Sequence, residues 1–350
     1  MQRGVVYAVV AAALFGASTP LIKGLVGNVD PVLLAGLLYA GSGLGLAMII
    51  IGRRLLSPRR PALTLPQKEE WRWLAGAIFF GGVVGPVALM YGLLTSTASA
   101  ASLLLNLEAV FTALLAWFFF HENYGKRLML GMLAIAAGGV LLVWTPDQTT
   151  HAFFGSLLVA AACLCWALDN NLTRKVSAND AVFIACLKGL AAGGVNLALA
   201  SVLGHTVPSP GVAGIAAAVG FFGYGVSLVL FVLALRHLGS ARTGAYFSVA
   251  PFFGAVLAML LQGDALTGQL LAAGLLMAAG VWLHLTERHE HQHSHPPQEH
   301  SHAHIHDEHH QHSHAPGWDG REPHTHRHVH PPLIHSHPHY PDADHRHRHD

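Results

Sequence analysis

The chain has 350 residues, 52% of them apolar and 11% charged, with a formal net charge of +1. Most of the acidic and basic groups lie outside long uncharged runs, which excludes a water-soluble helical domain because no run carries a polar face for water. A multi-pass membrane protein follows, with the lipid bilayer as an expected partner and no nucleic acid.

A hydrocarbon core of about 30 Å needs roughly 20 apolar residues per helix. Ten stretches qualify: 4 to 25, 31 to 52, 72 to 94, 98 to 120, 126 to 144, 153 to 174, 180 to 203, 212 to 235, 241 to 262 and 267 to 286. They are long and continuous and lack the alternation of a membrane barrel, so helices are predicted. The first run continues past Pro20 and a second follows at once, so it is read as a span and not as a signal peptide, whose apolar core is about 7 to 15 residues. Cys163, Cys165 and Cys186 all fall inside predicted spans and read as small packing residues.

Basic residues set the orientation. Arg53, Arg54, Arg59, Arg60 and Lys68 follow span two, Lys126 and Arg127 follow span four, Arg174 and Lys175 follow span six, and Arg236 and Arg242 follow span eight. The alternate loops, near residues 26 to 30, 95 to 97, 145 to 152, 204 to 211 and 263 to 266, contain no Lys or Arg. The basic loops are expected in the cytoplasm, and with ten spans both termini join them, in the inner membrane of the cell.

The two halves repeat. Asp30-Pro31 corresponds to Asp180-Ala181, Tyr91-Gly92-Leu93 to Leu233-Ala234-Leu235, and Leu107-Glu108-Ala109-Val110-Phe111 to Val249-Ala250-Pro251-Phe252-Phe253; His121-Glu122 meets Gly263-Asp264. Five spans per copy is an odd number, so the copies are predicted to lie upside down to each other, with a shared site between them as in secondary transporters.

Ionisable groups within a bilayer cost at least ~2.5 kcal/mol by insertion scales, so they face a cavity or a partner. Glu108, mid-span, is the foremost candidate, either carrying a proton coupled to substrate movement or holding a Ser or Thr of a neighbouring helix. Asn106 lies two residues away and does not share its helical face. Asp169 and Thr173 are four residues apart and meet on one face, read as a local network at the membrane edge. Lys188 either attracts a carboxylate or snorkels to the surface, and Lys23 has the same two readings. Trp166 and Tyr91 lie further in than Trp71, Trp73, Trp117, Trp144 and Trp282, which read as interfacial anchors, and are candidate cavity walls. Pro20, Pro86 and Pro251 free backbone carbonyls, for a ligand or merely a kink. Gly81-Gly82, Gly85, Gly138-Gly139 and Gly193-Gly194 allow close helix approach. No phosphate-binding Gly-rich loop is present, and His121-Glu122 lacks the second His of a metal-hydrolase motif, so no enzyme is expected.

After Leu285 the composition changes: of the 64 residues from Glu287 to Asp350, 22 are His. Pro pairs and few apolar residues predict disorder. The histidines alternate with other residues as His289, His291, His293, His295, then His300, His302, His304, His306, then His324, His326, His328, His330. An extended chain sends every second side chain to one side, so neighbouring imidazoles can chelate one ion, with Zn, Ni, Co and Cu all suited and poorly discriminated. No cofactor is required. A metal buffer, a gating sensor, a pH-responsive polyelectrolyte and an expanded repeat without a role share this composition.

The stretches Ala88-Leu89-Met90-Tyr91-Gly92 with Thr95 to Ser102, Leu107-Glu108-Ala109-Val110-Phe111 and Phe118-Phe119-Phe120-His121-Glu122 resemble the drug/metabolite transporter superfamily, specifically its EamA-type permeases. The resemblance covers residues 4 to 286. It implies an all-α integral membrane fold with ten transmembrane helices as two inverted five-helix repeats, residues 1–146 and 147–286, followed by the tail, 287–350. Ala109 stands where the family pattern often has Pro, and Ala250 precedes Pro251 where it has Glu, so each half keeps one member of the Glu-Pro pair. The implied function is a permease that exports small organic solutes, namely amino acids, metabolites or toxic compounds, by alternating access. An efflux permease for Ni, Co or Zn is the first alternative, and a membrane-anchored metal sensor or store the second. Oligomeric state is not readable.

Overall fold

The computed structural model describes residues 2–56, 66–120, 126–144, 150–176 and 179–286, and four tail segments, 290–295, 298–304, 324–330 and 333–338. His121-Glu122 lies outside them.

Up to residue 286 the described chain is helical. α1 (Gln2–Leu25) and α2 (Pro31–Leu56) are followed by α3 (Trp71–Ala77), which passes through a π-helical turn, Ile78–Val84, into α4 (Gly85–Thr95). α5 (Ala98–Leu104) and α6 (Leu107–Phe120) are separated at Leu105-Asn106; α7 (Lys126–Val143), α8 (Thr150–Thr173) and α9 (Ala181–Val202) follow. α10 (Pro210–Gly220) passes through a second π-helical turn, Phe221–Val226, into α11 (Ser227–Phe247), and α12 (Ala250–Gln262) and α13 (Gly268–Leu285) complete the bundle. Among the described residues eight segments are long and apolar enough to cross a membrane, and Ala250–Gln262 and Gly268–His284 are shorter apolar helices.

Short polar side chains start these helices. Asp30 accepts from Val32 N at 2.9 Å, Asp180 from Phe183 N at 3.0 Å, and Thr267 from Leu270 N at 3.1 Å, each meeting a backbone donor that the first helical turn leaves free. One boundary differs from expectation. Spans eight and nine were separated near residues 236–240, but α11 runs on to Phe247 and the break falls at Ser248-Val249. No proline lies between residues 227 and 247, whereas Pro251 occupies the first turn of α12, where its missing N–H is no loss.

α1 packs on α11 and α12, and α8 packs on α4 and α6; α2 lies along α9, and α7 along α13. Lipid is as apolar as the helix surfaces, so association depends on close fit and not on water exclusion. Small residues supply it: a Cβ on Gly43 would come within 2.4 Å of Leu190 N, and one on Gly220 within 1.9 Å of Leu38 O. Loop contacts sort into two sets. At the Lys- and Arg-free loops, His205 lies 3.2 Å from Asp30, and Asp264 accepts from Ser99 N at 2.8 Å. At the basic loops, Asn179 donates to Glu70 at 3.1 Å, and Arg127 donates to Thr286 O at 3.3 Å.

Four segments of the tail are described, and they are extended. β1 (Glu290–His295) pairs antiparallel with β4 (Leu333–Pro338), and β2 (Gln298–His304) with β3 (His324–His330). Strict alternation suits extended backbone, and the Pro pairs that argue against regular structure, Pro296-Pro297 and Pro331-Pro332, stand in sequence between the strands and not inside them.

Candidate functional site

The first π-helical turn organises the interior. A wide turn followed by Pro86, which has no N–H to give, leaves the carbonyls of Gly81 and Gly82 without their usual helical donors. Both are met by side chains from other helices. Tyr39 of α2 donates its hydroxyl to Gly81 O at 2.7 Å, Trp166 of α8 donates Nε1 to the same oxygen at 3.0 Å, and Asn196 of α9 donates Nδ2 to Gly82 O at 3.0 Å. Buried donors and acceptors need partners, so this proline break is locked into the packing of three helices. The other end of the Asn196 amide, Oδ1, is buried with no partner among the described residues.

Tyr39 also reaches the second π-helical turn. Its ring stacks on Tyr224 at 5.5 Å between centroids and 25° between planes. Tyr224 meets Phe15 of α1 edge-on at 6.0 Å, and Phe15 in turn lies 5.4 Å from Phe247 of α11. The aromatic series therefore runs from α2 through both halves of the chain.

On α8, below Trp166, lies a charged layer. Lys188 of α9 donates to the two carboxylate oxygens of Asp169 at 2.5 and 2.8 Å and to the Thr173 hydroxyl at 3.2 Å, and Thr173 donates to Asp169 at 2.8 Å. The four-residue spacing places Asp169 and Thr173 on one helical face, as read from the sequence, and the network extends further than that spacing shows. The Lys188 side chain is drawn inward and is 15% exposed, the Asp169 side chain 12%. Asp169 also presses on the π-helical turn, where a Cβ on Gly81 would lie 1.9 Å from Asp169 Oδ2.

Beside this pair Asn170 donates Nδ2 to Glu108 Oε1 at 2.8 Å and approaches Thr112 Oγ1 at 3.5 Å. The two carboxyls are thus treated unequally: Asp169 has a cation, while Glu108 is held by an amide and makes no ion pair among the described residues. Asn170 and Glu108 lie on α8 and α6, so this contact joins the second half of the chain to the first.

The sequence candidates divide accordingly. Glu108, Lys188 and Trp166 come together around α8. Asn106 does not join them; it is buried, donates Nδ2 to Leu103 O at 3.0 Å and faces Met277 of α13. Asn106 sits in the turn between α5 and α6, while Glu108 stands in the first turn of α6. Tyr91 is also set apart: it lies on the outer face of α4, 40% exposed, and makes no hydrogen bond to this cluster among the described contacts. Lys23, read two ways, donates to Leu93 O. Read from the sequence, Asp169 and Asn170 belong to a network at the membrane edge and not to the site, and Tyr39 and Asn196 carry no local signal because their partners lie 42 and 114 residues away.

The tail histidines at 291, 293, 295, 300, 302, 304, 324, 326, 328 and 330 lie in the paired strands, while His289 and His306 lie outside the described residues. Among the described residues no group of three or more His, Cys, Asp or Glu is arranged to hold a metal ion.

Comparison with known proteins adds the following. The model of the EamA-like transporter family matches residues 2–144 and again 153–286. An uncharacterized transporter of Methanothermobacter thermautotrophicus is 28% identical over 297 residues, covering 80% of this chain and 85% of that protein. The uncharacterized transporter YetK of Bacillus subtilis is 26% identical over 182 residues, covering 50% of this chain and 53% of that protein. A protein of solved crystal structure superposes with a TM-score of 0.59 at 19% identity, covering 80% of this chain and 94% of its own, and so has the same fold. Two matched halves, helical and apolar throughout, carry the conclusion: the chain belongs to the EamA-like transporter family.

Proposed function

We propose that this membrane transporter exports small organic solutes by alternating access, coupled to a proton carried on Glu108. The unequal pairing of the two carboxyls carries this reading. Asp169 is neutralised by Lys188, whereas Glu108, among the described residues, has the Asn170 amide and no cation, a partner that accommodates either protonation state of a carboxyl. The Glu108–Asn170 contact spans the two halves, so a change in the charge of Glu108 acts where the halves move against each other.

The wider architecture belongs to the same proposal. Residues 1–146 and 147–286 form two inverted five-helix repeats, giving ten crossings in the inner membrane with both termini in the cytoplasm. The exchange of partners supports it: α1 against α11 and α12 is matched by α8 against α4 and α6, and each half has one π-helical turn. The sorting of loop contacts by charge supports the sidedness. The tail, 287–350, binds divalent ions of the Zn, Ni, Co or Cu kind and is not the transport site. The alternative of metal efflux is disfavoured because a desolvated cation needs a chain of ligands across the membrane, and the described bundle offers no cluster of three.

The test is flux of a panel of amino acids and toxic organic solutes into proteoliposomes, with and without an imposed pH gradient. The proposal expects gradient-stimulated uptake of at least one organic solute, with the stimulation lost in Glu108→Gln. Stimulation of equal size in the variant removes Glu108 from coupling, and movement of Ni or Zn alone favours the metal reading.

A further inference from the structure

At the Lys- and Arg-free end of the bundle four helix ends meet: the last turn of α1, the C-terminus of α4, the N-terminus of α5 and the C-terminus of α12. Helix ends leave backbone groups without intrahelical partners, and side chains of other helices meet them here. Lys23 of α1 donates Nζ to Leu93 O in the last turn of α4, an end where the helix dipole favours a cation. α12 stops at Gly263, whose φ of 69° turns the chain out of the helix, and the next residue, Asp264, accepts from Ser99 N at 2.8 Å in the first turn of α5. Asp264 is also the charge that attracts Lys23. Gln262 donates Nε2 to Pro20 O at 2.6 Å. Pro20, Lys23, Leu93 and Ser99 belong to the first half of the chain and Gln262 and Asp264 to the second, so the cluster ties the halves together.

Below these contacts the packing is tight. Leu93 and Leu104 are fully buried, and Ser102 is 1% exposed. A Cβ on Gly254 of α12 would lie 2.7 Å from both Gly16 O of α1 and Ser102 Oγ of α5, so the three helices touch. The other end differs. Asn170, which holds Glu108, is exposed, and it stands four residues, about 6 Å along a helix, from Arg174 at the basic end. An amide finds no partner in hydrocarbon, so its exposed part faces a water-filled crevice. Glu108 is therefore reached from the basic end and sealed from the opposite one.

We propose that Lys23, Gln262 and Asp264 form a latch, whose contacts hold the Lys- and Arg-free end shut in this state and part when the transporter opens on that side. Every group in the latch can turn to water when the halves separate, so opening leaves no buried polar atom without a partner. The inference rests on the alternating-access reading and is independent of which solute moves.

The experiment is labelling of the full-length protein by a membrane-impermeant thiol reagent applied from the face on which Leu203 lies. Cys163, Cys165 and Cys186 are replaced by Ala, and Ser102→Cys, three residues deeper than Ser99, is the reporter. Loss of a charged hydrogen bond from the latch should raise the labelling rate about five- to tenfold, in Asp264→Asn and in Lys23→Met alike, through a larger open population. Asn179→Ala removes a contact between the halves at the basic end, 3.1 Å to Glu70, and should leave the rate unchanged or lower it. Should Ser102→Cys fail to fold, Thr19→Cys, 2% exposed and one turn below Lys23, takes its place. Rates unchanged in both latch variants overturn the proposal. An equal rise in Asn179→Ala, or rapid labelling with the latch intact, overturns it as well. The labelling needs no solute, so its failure is distinct from a failure to find a transported solute, which counts against the function proposed above.

Discussion

Replacing Lys188 by Met removes an ammonium that contacts both oxygens of Asp169 at 2.5 and 2.8 Å. The carboxylate left behind keeps the Thr173 hydroxyl as a donor, at 2.8 Å, while its side chain is only 12% exposed. Breaking a buried ion pair from one side typically costs about 3–5 kcal/mol, because the survivor is a desolvated charge without compensation. Asp169→Asn exposes the complementary defect, an ammonium left with Thr173 and an amide, and should fall in the same range. Removing both charges together leaves no such group, so the double variant is expected within about 2 kcal/mol of the unaltered protein, a coupling of roughly 3 kcal/mol or more. The assay is reversible unfolding in mixed micelles followed by tryptophan fluorescence, run as a double-mutant cycle and needing no knowledge of the substrate. Single variants that each lose under about 1 kcal/mol and add in the double would refute the argument that this pair is buried and mutually dependent.

Further predictions follow from the same contacts. Gly220→Ala drives a Cβ to 1.9 Å from Leu38 O and should destabilise by about 1–3 kcal/mol in the same unfolding assay, whereas Gly194→Ala, with nothing within 4 Å, should be neutral or stabilising by up to about 1 kcal/mol. Tyr39→Phe leaves Trp166 bonded to Gly81 O and should cost about 0.5–1.5 kcal/mol, while Tyr39→Phe combined with Trp166→Phe leaves that carbonyl orphaned and should cost more than the sum of the singles. Deleting residues 287–350 should leave organic-solute flux in proteoliposomes intact and remove most Zn or Ni binding measured by equilibrium dialysis; loss of solute flux together with metal binding would tie the tail to the transport step.

What was legible in the sequence follows physical range. Runs of about 20 apolar residues are set by bilayer thickness alone, so the helical segments up to residue 235 were readable within a few residues. The continuation of α11 to Phe247 was not, because Arg236 and Arg242 suggested a loop although no residue there breaks a helix. The Asp169–Thr173 contact is local and was read from a four-residue spacing; the Asp169–Lys188 pair crosses a turn between helices, and Glu108–Asn170 crosses from one half to the other, so neither leaves a periodic mark. Pro86 signalled freed carbonyls, but only three-dimensional packing shows that Tyr39, Trp166 and Asn196 meet them. In the tail, alternation announced extended backbone, while the pairing of one strand with another depends on register over dozens of residues.

The inversion of the two halves is tested most directly by labelling matching helix ends. With Cys163, Cys165 and Cys186 replaced by Ala, single cysteines are introduced at Arg54, in the basic last turn of α2, and at Leu203, just past the end of α9, both exposed. Inverted halves predict that a membrane-impermeant thiol reagent applied to intact cells modifies Leu203→Cys and reaches Arg54→Cys only after the membrane is opened. Modification of both positions from the same side would contradict the account.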